Sequence, residues 1–251
     1  MEHFLLLFGA GLLAGAMNAA AGGGSFITLP ALVFAGVPPV PANASSTVAL
    51  FPGSLASAWV YREDLGAFEG VSMRAMLLAS LSGGLSGALL LLVTPRTAFD
   101  VILPWLLLMG TLAFAFGRRV GAVLRRRFHI GPRTLLCGQF LLGTYGGYFG
   151  GAVGIMMMAV WSLVGLSDIK AMNAARTLLV GATNSIAVLC FVAANAVWWP
   201  QTCVMLAASV VGGHAGARVT RRLPSHLLRA GITIFNVAMT AAFFFRAAHV
   251  L

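Results

Sequence analysis

Polar side chains are scarce in this chain, so each cluster of them invites a chemical reading. In the first half Asn18 is followed by Gly22-Gly23-Gly24-Ser25 and then by Asn43, Ser46 and Thr47. In the second half Tyr148 precedes Gly151 and Gly154, and Asn173, Arg176 and Thr177 come after them. Glycine clusters between apolar runs free backbone N–H groups and let a ligand approach the main chain closely. A helix that starts at such a break attracts anions through its partial positive charge. Ser25 begins one such helix, and the stretch from Asn43 to Thr47 would cap and line another. Arg176 follows Asn173 by one turn and opens a stretch, residues 177–217, of 41 residues without Asp, Glu, Lys or Arg. A charge set that deep in apolar sequence is costly and usually functional; the competing reading is that it snorkels to the interface. Many of the Ser and Thr residues have a plainer role, in letting helices pack closely.

The acids are informative by position. Glu63, Asp64, Glu69, Asp100 and Asp168 all lie at or near loops, so no carboxylate is placed as a buried proton or sodium site. Cys137, Cys190 and Cys203 sit in apolar segments with no CxxC or Cys/His spacing. They read as small buried hydrophobes, and neither a disulfide framework nor a metal site is expected. Gly23-Gly24-Ser25 could be a nucleophile turn, but residues 4–61 hold no His or Lys to activate the serine, and HExxH is absent. What remains is an uncharged polar site with positive potential, which suits a small anion and needs no cofactor.

The elements that must position this site are set by composition. Of 251 residues 59% are hydrophobic and 9% charged, where soluble domains carry about a quarter charged residues. The mean hydropathy is +0.93. Between His3 and Arg62 lie 58 consecutive residues without Asp, Glu, Lys or Arg, and one crossing needs only about 20 apolar residues. This excludes a soluble enzyme, a nucleic-acid-binding domain and a disordered tail. The reading is an all-α polytopic membrane protein whose partners are the lipid bilayer and a small anion, not nucleic acid; a homodimer is compatible with it. Residues 4–15 resemble a signal peptide, but their flank carries Glu2 and His3 and a similar segment recurs mid-chain, so they are read as retained.

Ten apolar segments fall into two sets of five: residues 4–20, 25–37, 42–61, 71–93 and 98–117, then 134–150, 152–166, 171–194, 198–217 and 227–247. Laid over each other at an offset of 129 to 130, Gly24 falls on Gly154 and Asn43-Ala44 on Asn173-Ala174. ASLSGGLSGA from Ala79 falls on ASVVGGHAGA from Ala208 with six identities, and TLAFAF from Thr111 on TAAFFF from Thr240 with four. Such self-similarity marks an internal repeat. The division is a first repeat over 1–117, a basic connector over 118–133 and a second repeat over 134–251, with 8–10 transmembrane helices in all. The second segment is only 13 residues long, about 20 Å as helix, so a broken or re-entrant helix is expected there and at its counterpart.

Loop charge orients the repeats. Six arginines in the connector make it cytoplasmic, and alternating the spans puts 14 basic residues inside against Arg96 and Arg246 outside. This positive-inside pattern places both termini outside, in the plasma (inner) membrane of the cell, and inverts one half relative to the other. Inverted repeats with broken helices are a transporter arrangement, with substrate near the midplane at the repeat interface. Gly83/Gly87 and Gly212/Gly216 read as helix-packing pairs.

Three stretches carry a family likeness: GLLAGAMNAAAGGGSFITLPALVFAGVPPVPANASST from Gly11, GTYGGYFGGAVGIMMMAVWSLVGLSDIKAMNAARTLLVGATNSIA from Gly143, and VVGGHAGARVTRRLPSHLLRAGI from Val210. In these the chain resembles the sulfite exporter TauE/SafE family, also called the toluene sulfonate uptake permease family. The resemblance runs over essentially the whole chain in the family's two-half order. It implies an integral membrane permease for sulfur-containing anions such as sulfite, sulfonates or sulfoacetate. Where that family commonly has Lys after the Asn-Ala of the second half, this chain has Arg176, a planar fork in place of a point donor. An anion channel, or a carrier of a different small organic anion, stands as the alternative. The orientation predicts that a cysteine placed within 118–133, in a chain cleared of its own cysteines, reacts with an impermeant maleimide only after the cytoplasmic face is exposed. Labelling from outside in intact cells would reverse it.

Overall fold

A computed structural model describes residues 2–21, 23–65, 71–125, 131–163, 168–220 and 225–250. The described residues form ten α-helices: α1 (Glu2–Ala21), α2 (Ser25–Phe34), α3 (Pro39–Val60), α4 (Met73–Val93), α5 (Arg96–Arg125), α6 (Pro132–Tyr148), α7 (Val153–Ser162), α8 (Ile169–Ala193), α9 (Trp199–Thr220) and α10 (Ser225–Val250). Three are long and apolar enough to cross a membrane: Met73–Val93, Arg96–Gly117 and Lys170–Ala193. The chain is thus an all-α membrane protein with several long apolar helices.

Local chemistry sets the helix ends. Pro38 is extended and Pro39 takes the first helical position of α3, where its missing N–H leaves nothing unpaired. Ser72 caps α4 by accepting from the Ala75 N–H at 3.2 Å, and Asp168 caps α8 by accepting from the N–H groups of Lys170 and Ala171 at 2.9 and 3.3 Å. Both acceptors quiet donors that a helix start leaves unpaired. Gly36 (φ 87°) turns the chain out of α2, and Gly150 (φ 78°) with Ala152 (φ 58°) makes the tight link between α6 and α7. One boundary differs from the sequence reading. α5 does not stop at Gly117 but runs to Arg125, because no breaker stands before Gly131-Pro132. The connector therefore begins as helix, and its residues 126–130 lie outside the described ones.

α2 and α7 are each ten residues long, about 15 Å against a hydrocarbon core of ~30 Å. The shortness expected of the second segment and its counterpart holds for both. Around them α1 packs along α9, α4 along α6, α5 along α10, and α3 faces α8. The first two pairs meet backbone to backbone. A Cβ on Gly15 would overlap the Ser209 carbonyl oxygen, and one on Gly212 the Leu12 carbonyl oxygen. In the other pair a Cβ on Gly83 would overlap the Phe140 oxygen, one on Gly87 the Thr144 oxygen, and one on Gly147 the Gly84 oxygen. This is small-residue packing as read for Gly83, Gly87 and Gly212; the surroundings of Gly216 lie outside the described residues.

The apolar core gathers Phe26, Leu29, Leu32, Phe99, Leu103, Phe114, Phe149 and Phe191, with Phe26 edge-on to Phe149 at a centroid distance of 6.3 Å. A smaller cluster of Met76, Leu135, Met157, Trp161 and Leu179 lies between α4, α6, α7 and α8. One buried polar group is paired across helices on both sides: Gln139, fully buried, donates to Ser80 Oγ at 2.8 Å and accepts from Trp161 Nε1 at 3.0 Å. The cysteines depart from expectation. Cys137 and Cys203 are exposed and only Cys190 is half-buried, because they occupy outward helix faces, where the apolar surrounding is lipid rather than protein.

Overpacking at these contacts is expected to weaken the whole frame. Gly87→Val should lower stability by about 1–3 kcal/mol, the usual effect of forcing extra methyl groups into a packed contact. The thermal midpoint in detergent checks it, with Gly9→Val, at a glycine with open space around it, as the neutral control.

Candidate functional site

Both short helices begin at one cavity. It has a volume of about 240 Å³, lies along the seam between α3 and α8, and takes in the first residues of α2 and α7. Ser25 opens α2 there, and Val153, Gly154 and Ile155 open α7 after the turn at Gly150. Two helix N-termini thus converge on one space, each with the partial positive charge of a helix start, with the N–H groups of Phe26, Ile27 and Ile155 bonded to the carbonyls of Gly23, Gly24 and Ala152 at 3.1, 3.0 and 3.0 Å.

α3 and α8 supply most of the remaining wall, each from one stripe. Thr47, Leu50, Ser54 and Ser57 come from α3 and Tyr61 from its C-cap, and Asn173, Arg176, Thr177, Val180 and Asn184 from α8. Steps of three and four residues keep side chains on one helix face. Asn18, near the end of α1, completes the lining. The seam is stitched at mid-height, where Asn184 Nδ2 donates to Ser54 Oγ at 3.4 Å.

Among the described residues, Arg176 is the one charged residue in this lining, and no Asp or Glu is among them. Its stem runs over Gly154: a Cβ there would stand 2.9 Å from Arg176 Cδ and 3.0 Å from Cγ. The absence of a side chain at Gly154 is what gives the arginine its path. The side chains of Asn18, Ser25 and Asn173 have no hydrogen-bond partner among the described residues, so their donors are available to a ligand. Thr47, Ser57 and Thr177 instead donate to carbonyls of their own helices at 3.0, 2.9 and 2.8 Å. A hydroxyl rotor can turn from such a bond toward an acceptor in the cavity.

Half of the sequence-derived site meets here: Asn18, Ser25, Thr47, Gly154, Asn173, Arg176 and Thr177. The others do not line the cavity. Gly24 is wedged against the Ala14 carbonyl and Leu50, where a Cβ would come within 2.8 and 3.1 Å, and Gly23 lies against Met17. Gly151 is covered by the Phe149 ring, and Gly22 lies outside the described residues. Asn43 and Ser46 are each 1% exposed; Ser46 is hydroxyl-paired with Thr28 and Asn43 Nδ2 donates to the Tyr148 carbonyl at 2.7 Å. Tyr148 itself packs its ring on Phe99 at 5.8 Å and donates its hydroxyl to Thr94 at 3.3 Å. The reading missed Ser54, Ser57, Tyr61 and Asn184. Helical spacing from Thr47 and from Asn173 would have found all four. Arg74 and His214 are exposed and take no part.

The comparisons with known proteins agree on identity. The profile of the sulfite exporter TauE/SafE family matches residues 7–243. A Haemophilus influenzae protein named "Probable membrane transporter protein" is 30% identical over 247 residues, covering 96% of this chain and 94% of the relative. The Escherichia coli K12 "Probable membrane transporter protein YfcA" is 31% identical over 239 residues, 94% of this chain and 87% of the relative. A Sinorhizobium protein, "Probable membrane transporter protein ORF9", is 29% identical over 242 residues, with 94% and 91% covered. The chain belongs to the sulfite exporter TauE/SafE family, and it is a membrane transporter rather than an enzyme.

The contact between Gly154 and Arg176 generates a prediction. Gly154→Ala leaves the fold intact, because the clash falls on a flexible stem, but displaces the guanidinium and weakens anion binding. Thermal midpoint and ligand-induced stabilisation by a small sulfonate, measured together, check it. Unchanged ligand stabilisation would detach Arg176 from the cavity's chemistry.

Proposed function

We propose that this chain is a multi-pass plasma-membrane carrier of small sulfur-containing anions, such as sulfite, sulfonates or sulfoacetate. The anion binds in the α3–α8 cavity, near the midplane. One observation carries the reading: two helix N-termini and a single arginine converge on a cavity with no carboxylate among its described lining residues. Positive potential from backbone ends is a standard means of holding an anion at membrane depth, where unwound backbone is tolerated only beside a cavity. Arg176 adds a planar fork that can give two parallel hydrogen bonds to one oxyanion.

The architecture that goes with this reading is two inverted repeats, 1–117 and 134–251, joined by a cytoplasmic connector at 118–133, with 8–10 crossings and both termini outside. The packing supports it. α1 lies on α9 while its counterpart α6 lies on α4, and α3 meets its own counterpart α8, as α5 does α10. Two side-chain pairs are more telling. Thr111 and Thr240 hydroxyls meet at 3.1 Å and are 129 residues apart; Ser54 and Asn184 meet at 3.4 Å and are 130 apart. A two-fold axis running through the α3–α8 and α5–α10 seams would bring residues separated by the repeat offset together in this way.

The energetics favour export. An anion leaving a cell that is negative inside gains roughly 2.3 kcal/mol per charge per 100 mV. No coupling ion is then required, in keeping with the lack of a carboxylate among the described lining residues. The closed packing around Asn43 and Ser46 beyond the cavity supports a carrier over an open channel.

Arg176→Gln is expected to cut sulfite and sulfonate flux in proteoliposomes at least about tenfold at equal protein level. That corresponds to losing one charge-assisted hydrogen bond of roughly 1.5–3 kcal/mol. Unchanged flux would remove Arg176, and with it the anion assignment, from the cavity.

A further inference from the structure

Positions related by the offset of 130 divide the α3–α8 seam into a middle and two ends. In the middle both members of each pair face the cavity: Thr47 with Thr177, Leu50 with Val180, Ser54 with Asn184. Toward one end the cavity continues between Asn173 and Arg176 on α8 and Ser57 and Tyr61 at the end of α3, and it reaches the surface at Tyr61, which is 38% exposed. Their four counterparts at the other end are closed into the interior. Asn43 and Ser46 are 1% exposed, and Ala187 and Phe191 are 0% exposed. The cavity is half of an outline that the sequence repeats in full.

A second observation points to the same closed end. Asn43 gives its amide N–H to the Tyr148 carbonyl, but its Oδ1 is buried with no hydrogen-bond partner. Buried polar atoms are nearly always paired, and an exception calls for a reason. Its counterpart Asn173 has the cavity in front of it.

We propose that this sealed end is a second vestibule, which opens between Asn43, Ser46 and Phe191 when the end at Arg176 and Tyr61 closes. The proposal rests on the inverted-repeat carrier reading and adds a chemical difference between the two ends. Ser46 stands where Arg176 stands on the other side, so the second vestibule holds the same small anion with an amide and a hydroxyl but no cation. The anion is gripped by charge at one mouth and by neutral groups at the other, and affinity is sided. Phe191, in the place of Tyr61, is the apolar seal.

The test uses the full chain, cleared of its three cysteines, in sealed vesicles of both orientations. Ser57→Cys and Ser46→Cys are introduced one at a time and probed with a membrane-impermeant maleimide. Ser57→Cys should react from the Arg176 face alone. Ser46→Cys should be slow in the parent chain and react only from the opposite face. Adding Phe191→Tyr, which buries a hydroxyl in the seal, should speed Ser46→Cys labelling roughly tenfold and slow Ser57→Cys labelling. Phe191→Ala provides the same readout should the tyrosine variant fold poorly. Labelling of Ser46→Cys from the Arg176 face, or none from either face in any background, overturns the proposal. Flux of sulfite and a small sulfonate in the same vesicles separates it from the substrate assignment. Two-faced labelling without such flux keeps the vestibule and sinks the substrate, whereas flux without Ser46→Cys labelling sinks the vestibule.

Discussion

A chain in hydrocarbon has to satisfy its own backbone hydrogen bonds, and the rest of this structure follows from where that requirement is relaxed. Eight of the ten helices are 17 residues or longer; α2 and α7 are ten. Each of the short ones starts at the same cavity. The left-handed turn at Gly150 and Ala152 makes the break before α7; before α2, Gly24 keeps helical dihedrals and its missing Cβ lets it seat against the Ala14 carbonyl. The positive potential of the site is a by-product of those breaks, because each helix start carries the positive end of its dipole.

Holding two helix starts at one point requires a frame that does not drift. That frame is made by α1 with α9 and α4 with α6, where glycines bring backbones together with no side chain between them. Contacts of this kind have one register, since shifting either helix by a residue drives a Cβ into a carbonyl oxygen. The α3–α8 seam is built differently. Where Gly181 faces α3, the nearest atoms, Ala58 Cβ and the Ser54 oxygen, would be 3.7 and 3.9 Å from an added Cβ. That is ordinary contact, with hydroxyls and amides along the seam instead of a glycine zipper. A close-packed frame and a polar, looser seam let a wet cavity exist in the middle of an apolar bundle.

How much of this could be read from residues alone depends on direction. The offset between halves, the short second segments and the small-residue pairs are periodic features, and periodicity survives in one dimension. So does the stripe of a helix: Asn173, Arg176 and Thr177 already define the α8 face, and continuing it to Asn184 required only further steps of a helical turn. What does not survive is position along the helix axis relative to a neighbour. Asn43 lies one turn before Thr47, on the same stripe, yet Thr47 faces the cavity and Asn43 donates to the Tyr148 carbonyl. Spacing cannot say where along a stripe the cavity ends, because that is decided by which segment of another helix lies opposite. Tyr148 shows the same limit: its ring is claimed by Phe99 and its hydroxyl by Thr94, both distant in sequence.

The single arginine also explains why the site can do without an acid. A lone buried charge is heavily penalised in a medium of low dielectric, and so is a lone anion. Brought together, each offsets the desolvation of the other, and the loaded site approaches neutrality. The helix ends at Ser25 and Val153 then contribute fractional charge spread over several N–H groups, which stabilises the anion without requiring a further counter-ion. Among the described residues Asp168 serves as a helix cap and Glu63 pairs with Arg62 at 3.1 Å, and neither lines the cavity. In the proposed carrier the cargo would complete the electrostatics of the seam, and occupancy and the free energy of opening or closing it would be coupled by the same interaction.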